Sequence, residues 1–257
     1  MRPQWGDERF IIFALARTGS TTLMRVLNCH PHIRCINEPF NPDNCRGREP
    51  AFPDEASIRR TLVEIWERFN AIKHVWHPTG WPFGPNSAFN ESLLVSAGCR
   101  VVLLTRRNIL QRVVSSQLSD QTGVWQSDDD QERRRLGEFS YRPLDKQWIR
   151  WHIERERTEV AARKARLDET GVTWKELVYE DLFGDGLSTD AQVGRVREIV
   201  SFLGYEPAAL DVTGDPVRRL LDPARTRLNS PEVYSRVPGI DEVERLFGSD
   251  QTGWLFH

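Results

Sequence analysis

The stretch FALARTGSTTL, residues 13–23, joins an apolar run to a helical pattern through small hydroxyl residues and one cation. The unpaired N–H groups at the start of a helix, together with the helix dipole, attract an anion. Gly19 permits a close approach of the backbone to a ligand, and Arg17 adds a positive charge. The same residues also suit an ordinary strand-to-helix turn with a serine or threonine N-cap, so this segment alone leaves both interpretations open.

Two well-known nucleotide motifs are absent from this loop. A triphosphate-binding loop needs G-x-x-x-x-G-K-[ST], in which the lysine reaches the terminal phosphates and the hydroxyl binds magnesium. A dinucleotide-binding loop needs G-x-G-x-x-G, and neither pattern occurs here. The segment is therefore interpreted as a phosphate-type loop that differs from both the triphosphate type and the NAD type.

A second candidate anion site lies in LLTRRNILQRVVSSQLS, residues 103–119. An apolar strand ends at Arg106 and Arg107, and a helix follows. Arg107 and Ser115 are eight residues apart, a little over two helical turns, so they can face the same side and share a phosphate. Ser116 is the candidate phosphate ligand in place of Ser115 if the helical register differs by one residue. The alternative is that the arginines are solvated surface charges and the serines small packing residues.

Together the two stretches resemble the sulfotransferases that use 3′-phosphoadenosine 5′-phosphosulfate (PAPS) as donor. The segment INEPFNP resembles the acidic-aromatic segment of the bacterial trehalose-sulfotransferase-like branch, and IKHVW resembles its third-strand lysine segment. SSQLSDQTGVW, VYEDLFGD and SFLGYEP resemble later signatures of the same branch. The resemblance covers roughly residues 10–205 in order and implies PAPS as the sulfate donor, without a metal.

The resemblance also implies which residues hold the donor. The loop residues expected to bind the 5′-phosphosulfate are Arg17, Thr18, Gly19, Ser20, Thr21 and Thr22. Arg17 is expected to stabilise the charge on the leaving group, and its role is electrostatic because a guanidinium does not give up its proton. Arg107 and Ser115 are the expected ligands of the 3′-phosphate. Arg225 and Arg227 are expected to close over the nucleotide, although the family's usual Arg-Lys-Gly is missing there.

A carboxylate is the predicted general base. Glu38 follows the second strand, on the side where the first strand delivers its loop, and in the trehalose-like branch a glutamate at the corresponding place is the proposed base. The alternative is a glutamate that caps a turn or pairs with an arginine. His74 and His77 are rival bases and, with Trp81 in a Pro/Gly-rich loop, are predicted to lie near the acceptor.

The order of elements that must position these residues predicts an α/β fold. Four or five short apolar strands alternate with helices, which indicates a P-loop-type central parallel sheet with helices on both faces. In such sheets the ligand-binding turns collect at the carboxyl ends of the strands. We expect one domain over residues 1–257, with an irregular tail that holds one short helix near 240–247. The predicted strands span 10–15, 33–37, 71–76, 100–105 and the segment 172–182 with its turn.

Composition narrows the partners and the compartment. The chain has 257 residues, with 35 basic and 37 acidic side chains, so nothing indicates a general binder of nucleic acid or of membrane surfaces. The four cysteines are too irregularly spaced for a disulfide framework. The apolar run 10–16 is about half the length of a spanning helix and lacks the features of a signal peptide, so we expect a cytoplasmic protein.

The segment NCHPHIRC invites a zinc interpretation because Cys29, His30, His32 and Cys35 fall within seven residues. Zinc sites normally take their ligands from two separated pairs, so no metal is predicted. The predicted function is sulfuryl transfer to a hydroxyl of a small molecule, such as a carbohydrate, a glycolipid or another metabolite. The alternatives are a P-loop kinase acting on a small metabolite and a non-catalytic nucleotide-binding module.

Overall fold

Five parallel strands form the centre of the molecule, in the order β2-β3-β1-β4-β5. The computed structural model describes residues 8–42, 54–95, 98–125, 130–184, 186–212, 215–222, 228–229 and 231–256. The α/β class and the parallel sheet with helices around it confirm the predicted architecture. The strands are β1 (Phe10–Leu15), β2 (Cys35–Asn37), β3 (Ala71–Trp76), β4 (Arg100–Thr105) and β5 (Trp174–Val178).

Helices cover both faces of this sheet. In chain order they are α1 (Ser20–Leu27), α2 (Glu55–Trp66), α3 (Ser87–Val95), α4 (Ile109–Thr122), α5 (Asp130–Glu138), α6 (Lys146–Thr170), α7 (Tyr179–Phe183), α8 (Thr189–Phe202), α9 (Asp215–Leu221), α10 (Pro231–Tyr234) and α11 (Ile240–Phe247). None of the helices in the described part of the chain combines the length and apolar character that crossing a bilayer requires.

The strand β1 shows why the sheet is buried on both faces. All six of its side chains are buried, as expected for a continuous apolar run in a parallel sheet. Ile12 and Ala14 belong to the apolar cluster under α1 and α8, whereas Ile11 and Phe13 belong to the cluster under α2 and α3. This alternation places β1 at the centre of the core and fixes the loop that leaves its carboxyl end.

The carboxyl end of β1 lies between those of β3 and β4. Leu15 pairs with Trp76 of β3, and Ala14 pairs with Leu104 of β4. The loops that follow these three strands therefore meet at one edge of the sheet, which is where ligand sites form in open parallel sheets.

The predicted strands 10–15, 71–76 and 100–105 are confirmed, whereas β2 is shorter than predicted. The backbone amide of Arg34 donates to the side chain of Asn70 at 2.8 Å, so the ladder begins only at Cys35. The prediction of an irregular tail with one short helix is wrong, because α9 and α10 precede α11. Val217 and Leu221 of α9 are buried in the cluster under α1, and this packing stabilises the additional helix.

Candidate functional site

The loop from β1 to α1 has an unusual backbone. Arg17 has a φ of 67° and Gly19 a φ of 78°, so both lie in the left-handed region. Gly19 occupies the N-cap position of α1, and no side chain caps the helix there, which excludes the simple serine or threonine cap. The amides of the first turn have no partner within the helix. A Cβ at Gly19 would lie 3.0 Å from the rings of Tyr179 and Phe183, so this position requires glycine.

The hydroxyl residues of the loop are oriented differently from one another. The Thr18 hydroxyl is buried and donates to the Leu15 carbonyl at 2.7 Å, so Thr18 offers a ligand only its backbone amide. Ser20 is buried, while Thr21 and Thr22 are half-buried. The predicted anion loop therefore presents mainly backbone N–H groups and the Arg17 guanidinium.

Lys73, in the middle of β3, connects this loop to the predicted base. Its side chain is only 2% exposed. Its ammonium donates to Glu38 Oε1 at 2.6 Å, to Asn37 Oδ1 at 2.9 Å and to Thr21 Oγ1 at 2.8 Å. These three acceptors match the three protons of an ammonium. Burial lowers the pKa of Lys73, and the neighbouring Glu38 carboxylate counteracts that effect.

Glu38 lies where the sequence predicts it, directly after β2. Its φ of 44° is rare for a residue with a side chain and indicates a position that the surroundings hold in place. Its amide donates to the Lys73 carbonyl at 2.9 Å, and its Oε2 accepts from Asn41 Nδ2 at 2.9 Å. Among the described residues, this carboxylate forms an ion pair with Lys73. The carboxylate is thus fixed beside the start of α1.

Arg17 reaches from the loop to helix α4. Its Nε donates to Ser115 Oγ at 2.8 Å, and its guanidinium also donates to the Trp125 carbonyl. Ser115 accepts a second hydrogen bond, from Asn229 Nδ2, at 2.8 Å. Burial and the neighbouring Arg106 lower the pKa of Arg17 to about 10, so the guanidinium stays protonated at neutral pH. The alternative position, Ser116, is buried on the same helix.

Arg107 lies outside helix α4, which holds Ser115. Asn108 caps α4 by accepting from the Gln111 amide at 2.9 Å, so Arg107 precedes the helix and helical spacing does not apply to it. Its side chain is 65% exposed and pairs with Asp181 of α7 at 2.8 Å. This pairing raises the pKa of Arg107. Arg107 remains at the same edge of the sheet as the loop, and its sharing of a phosphate with Ser115 stays a prediction.

His74 belongs to the core. Its ring is stacked between Phe13 and Phe83, with centroid distances of 5.4 Å and 5.1 Å. Burial lowers its pKa to about 3. This placement argues against the predicted role of His74 at the acceptor, because the ring is enclosed by aromatic side chains.

His77 lies at the carboxyl end of β3 and contacts helix α6. Its ring centroid is 4.8 Å from that of His152, and its Nδ1 lies 2.7 Å from Thr79 Oγ1. Burial, with Arg112 nearby, lowers the pKa of His77 to about 4. Trp81 is half-buried, and its carbonyl accepts from the His77 amide at 3.1 Å. That these two residues face an acceptor stays a prediction.

Two further predictions concern the tail and a metal. Arg225 and Arg227 lie outside the described residues. Among the residues that the structure describes, no group of histidine, cysteine or carboxylate side chains is arranged to hold a metal ion. In the segment that invites a zinc interpretation, His30 Nε2 lies 3.0 Å from the Glu206 carbonyl and is thereby tied to the backbone.

Sequence reasoning missed the roles of three cations, Lys73, Arg106 and Arg112. Lys73 is a lone charge within the apolar strand AIKHVW, and that contrast was the available signal. Arg112 stands among apolar residues in ILQRVV and is buried against Glu156 of α6. Arg106 donates to the Arg17 carbonyl at 3.1 Å and lies over the Tyr179 ring at 4.4 Å. All three side chains support the loop or the carboxylate beside it.

Comparison with known proteins places these features in context. No protein-family model matches this chain. The chain is 33% identical to nodulation protein H of Rhizobium tropici over 127 residues, which are 46% of this chain and 49% of that protein. The chain thus spans about half the length of this curated relative.

Proposed function

We propose that the chain is a PAPS-dependent sulfotransferase acting on a hydroxyl of a small molecule, with residues 1–257 forming one domain. The relative named above, nodulation protein H, is a PAPS sulfotransferase. The observation that carries the proposal is the contact between Arg17 and Ser115, which joins the anion loop to α4. Two candidate anion-binding elements therefore meet at one edge of the sheet, and this fits a donor that carries phosphate at two positions.

The groups at this edge have the chemistry that an anionic donor needs. The first amides of α1 and the guanidinium of Arg17 supply hydrogen-bond donors and positive charge. Arg107 adds a second guanidinium, whose present partner is an exposed carboxylate, Asp181. Exposed ion pairs contribute little free energy, so a phosphate can replace Asp181 at small cost. PAPS and its product adenosine 3′,5′-bisphosphate are the proposed ligands, and no metal is required.

The reaction needs a base for the acceptor hydroxyl and a cation for the leaving oxygen. Glu38 is the proposed base: it takes the hydroxyl proton as the acceptor oxygen forms its bond to sulfur. The bond from sulfur to the bridging oxygen of the 5′-phosphate breaks in the same in-line step, with a sulfate ester and adenosine 3′,5′-bisphosphate as products. Arg17 stabilises the negative charge that develops on the leaving phosphate.

Lys73 has a positioning role in this scheme. Its ammonium holds the Glu38 carboxylate at 2.6 Å and the Thr21 hydroxyl at 2.8 Å, so the base and the start of α1 share one cation. This ion pair holds the carboxylate in a fixed position for the proposed proton transfer. The acceptor is proposed to approach from the side of His77 and Trp81.

Isothermal titration with adenosine 3′,5′-bisphosphate in the presence of EDTA tests the proposal. We expect binding with a dissociation constant on the order of micromolar, a value typical of substrate-level affinities. The matched control is magnesium-ATP, for which we expect no binding. Binding of magnesium-ATP without binding of the bisphosphate would overturn the proposal in favour of a kinase. Binding of the bisphosphate without sulfate transfer to any sugar or lipid-glycoside acceptor would favour a non-catalytic module.

A further inference from the structure

The carbonyl groups of the anion loop point toward two arginines outside the loop. Arg112 Nη1 lies 3.4 Å from the Ala16 carbonyl, and Arg106 Nη1 lies 3.1 Å from the Arg17 carbonyl. We propose that Arg112, held by Glu156, and Arg106 are positioning residues that orient the amides of the loop toward its bound anion. For the identity of that anion the inference rests on the proposed function, whereas the orientation of the loop does not depend on it.

The geometry of the peptide bond connects a carbonyl contact to the direction of an amide. In a planar trans peptide the C=O and N–H groups point in opposite directions. A contact from Arg112 to the Ala16 carbonyl therefore directs the Arg17 amide away from Arg112. A contact from Arg106 to the Arg17 carbonyl likewise directs the Thr18 amide away from Arg106. Each amide therefore points to the side of its own peptide that lies opposite the arginine contacting that peptide's carbonyl.

The backbone of Arg17 independently indicates that the loop is held from outside. Its φ of 67° is unfavourable for a residue with a side chain, by about 1–3 kcal/mol, and persists only where the surroundings enforce it. The two carbonyl contacts flank this residue, one on the peptide before it and one on the peptide after it. The two contacts therefore restrain both peptides that flank Arg17, and this keeps its backbone in the left-handed region.

Arg112 is itself held by a buried ion pair. Its Nε and Nη2 lie 2.7 Å and 2.6 Å from Glu156 Oε2, and the two side chains are 2% and 3% exposed. Replacing such a pair with well-packed apolar side chains is often neutral for stability, so stability alone does not require it here. Glu156 fixes the direction of the Arg112 guanidinium, which leaves Nη1 aimed at the Ala16 carbonyl.

The chain offers a matched control. Arg163 of α6 and Glu91 of α3 form another buried pair, 3.0 Å apart and 3% and 5% exposed. Arg163 contacts Glu159 and lies over the Trp76 ring, and it has no recorded contact with the loop. A loss of stability from removing a buried ion pair is therefore common to both pairs, whereas a loss of loop orientation is specific to the pair of Arg112 and Glu156.

The experiment compares the double variants R112M/E156L and R163M/E91L, which leave no unpaired buried charge. Adenosine 3′,5′-bisphosphate affinity is measured by titration, and hydrogen exchange is followed in the peptide covering residues 13–23. We expect R112M/E156L to weaken bisphosphate binding about tenfold and to accelerate hydrogen exchange of that peptide about tenfold. A tenfold effect corresponds to the loss of one charge-assisted hydrogen bond. R163M/E91L is expected to match the wild type in both. The single variant R112K, which keeps the positive charge beside Glu156, is expected to bind the bisphosphate more tightly than R112M/E156L and less tightly than the wild type.

Each outcome decides the proposal. Wild-type exchange rates of the loop peptide in R112M/E156L would overturn it, as would equal changes in both double variants. Failure of the wild type to bind the bisphosphate would contradict the proposed function instead, because the exchange measurement needs no ligand. Faster exchange confined to R112M/E156L would then still support the positioning role.

Discussion

Arg17 Nε donates a hydrogen bond to Ser115 Oγ at 2.8 Å, between residues 98 positions apart in the chain. The contact joins the loop after β1 to helix α4 and thereby brings two candidate anion-binding elements to one place. The sequence predicts that Ser115 shares a phosphate with Arg107, and that stays a prediction; in the structure Arg107 pairs with Asp181. A phosphate bound at Ser115 would therefore lie beside the cation of the loop.

Removing the Ser115 hydroxyl tests whether this place binds the donor. We expect S115A to weaken the affinity for adenosine 3′,5′-bisphosphate about tenfold or more, because one hydrogen bond to a charged group contributes about 1.5–3 kcal/mol. The measurement is isothermal titration. S116A, at the adjacent buried serine, is the control and is expected to bind as the wild type does. Equal losses in both variants would contradict a specific role for Ser115.

Replacing Glu38 with glutamine separates binding from chemistry. The amide has the shape of the carboxylate but does not accept the proton, so E38Q is expected to transfer sulfate about 10²–10⁴-fold more slowly. Bisphosphate affinity should stay within about twofold of the wild type, a difference of under 0.5 kcal/mol. Transfer from radiolabelled PAPS and titration supply the two values. Transfer at the wild-type rate would remove Glu38 as the base.

The pairing of Lys73 with Glu38 predicts strong coupling between the two side chains. K73M removes the buried cation that pairs with Glu38, and removing one partner of a buried pair costs about 3–5 kcal/mol of unfolding free energy. The double variant K73M/E38Q is expected to lose less than K73M alone, because the charges of both partners are then removed together. Urea unfolding of the wild type, both single variants and the double variant gives the coupling energy. Additive effects would mean that the observed ion pair has no energetic role.

The requirement for glycine at position 19 is testable against a matched glycine. Gly19 and Gly123 both have positive φ, 78° and 70°, but a Cβ at Gly123 meets nothing within 4 Å. G123A therefore reports only the backbone penalty, about 1 kcal/mol. G19A adds crowding against Tyr179 and Phe183, which costs about a further 1–3 kcal/mol. Thermal unfolding measures the loss of stability in each variant, and titration with the bisphosphate measures the effect on binding. Similar losses of stability in G19A and G123A would contradict the proposed close packing.

Acidification is expected to destabilise the protein partly through His74. Burial lowers the His74 pKa to about 3 in the folded state, whereas the unfolded value is about 6.5. Between these values the unfolded chain binds a proton that the folded chain does not. The contribution of His74 to the free energy of unfolding is therefore fully present above about pH 6.5 and is lost as the pH falls toward 3. From about pH 7.5 to about pH 5 this one group accounts for about 2 kcal/mol.

The variant H74F should remove that part of the pH dependence, because phenylalanine fits the stack with Phe13 and Phe83. Urea unfolding at both pH values measures the difference in free energy, which should shrink by about 2 kcal/mol relative to the wild type. H32Q, at an exposed histidine, is the control and should retain the wild-type dependence. An unchanged pH dependence in H74F would contradict the buried, neutral state of His74.

Local patterns in the sequence were sufficient for much of the architecture. The six-residue runs FIIFAL, AIKHVW and RVVLLT are mostly apolar and form β1, β3 and β4 at the predicted positions. The loop with Arg17 and Gly19 lies between β1 and α1, and Glu38 directly follows β2. These features depend on side-chain pattern and backbone preference within a few residues, which is the range over which a sequence is read directly.

The partners of the charged side chains were decided by the tertiary structure. Lys73 meets Glu38 because β2 pairs with β3, and Arg17 meets Ser115 because α4 follows the strand beside β1. The sequence contains these residues but not their distances, since which strands become neighbours depends on packing the whole sheet. The sequence by itself determined the strands, the loop and the carboxylate. Only the folded chain decided which cation each of them contacts, because those contacts join segments that are far apart in sequence.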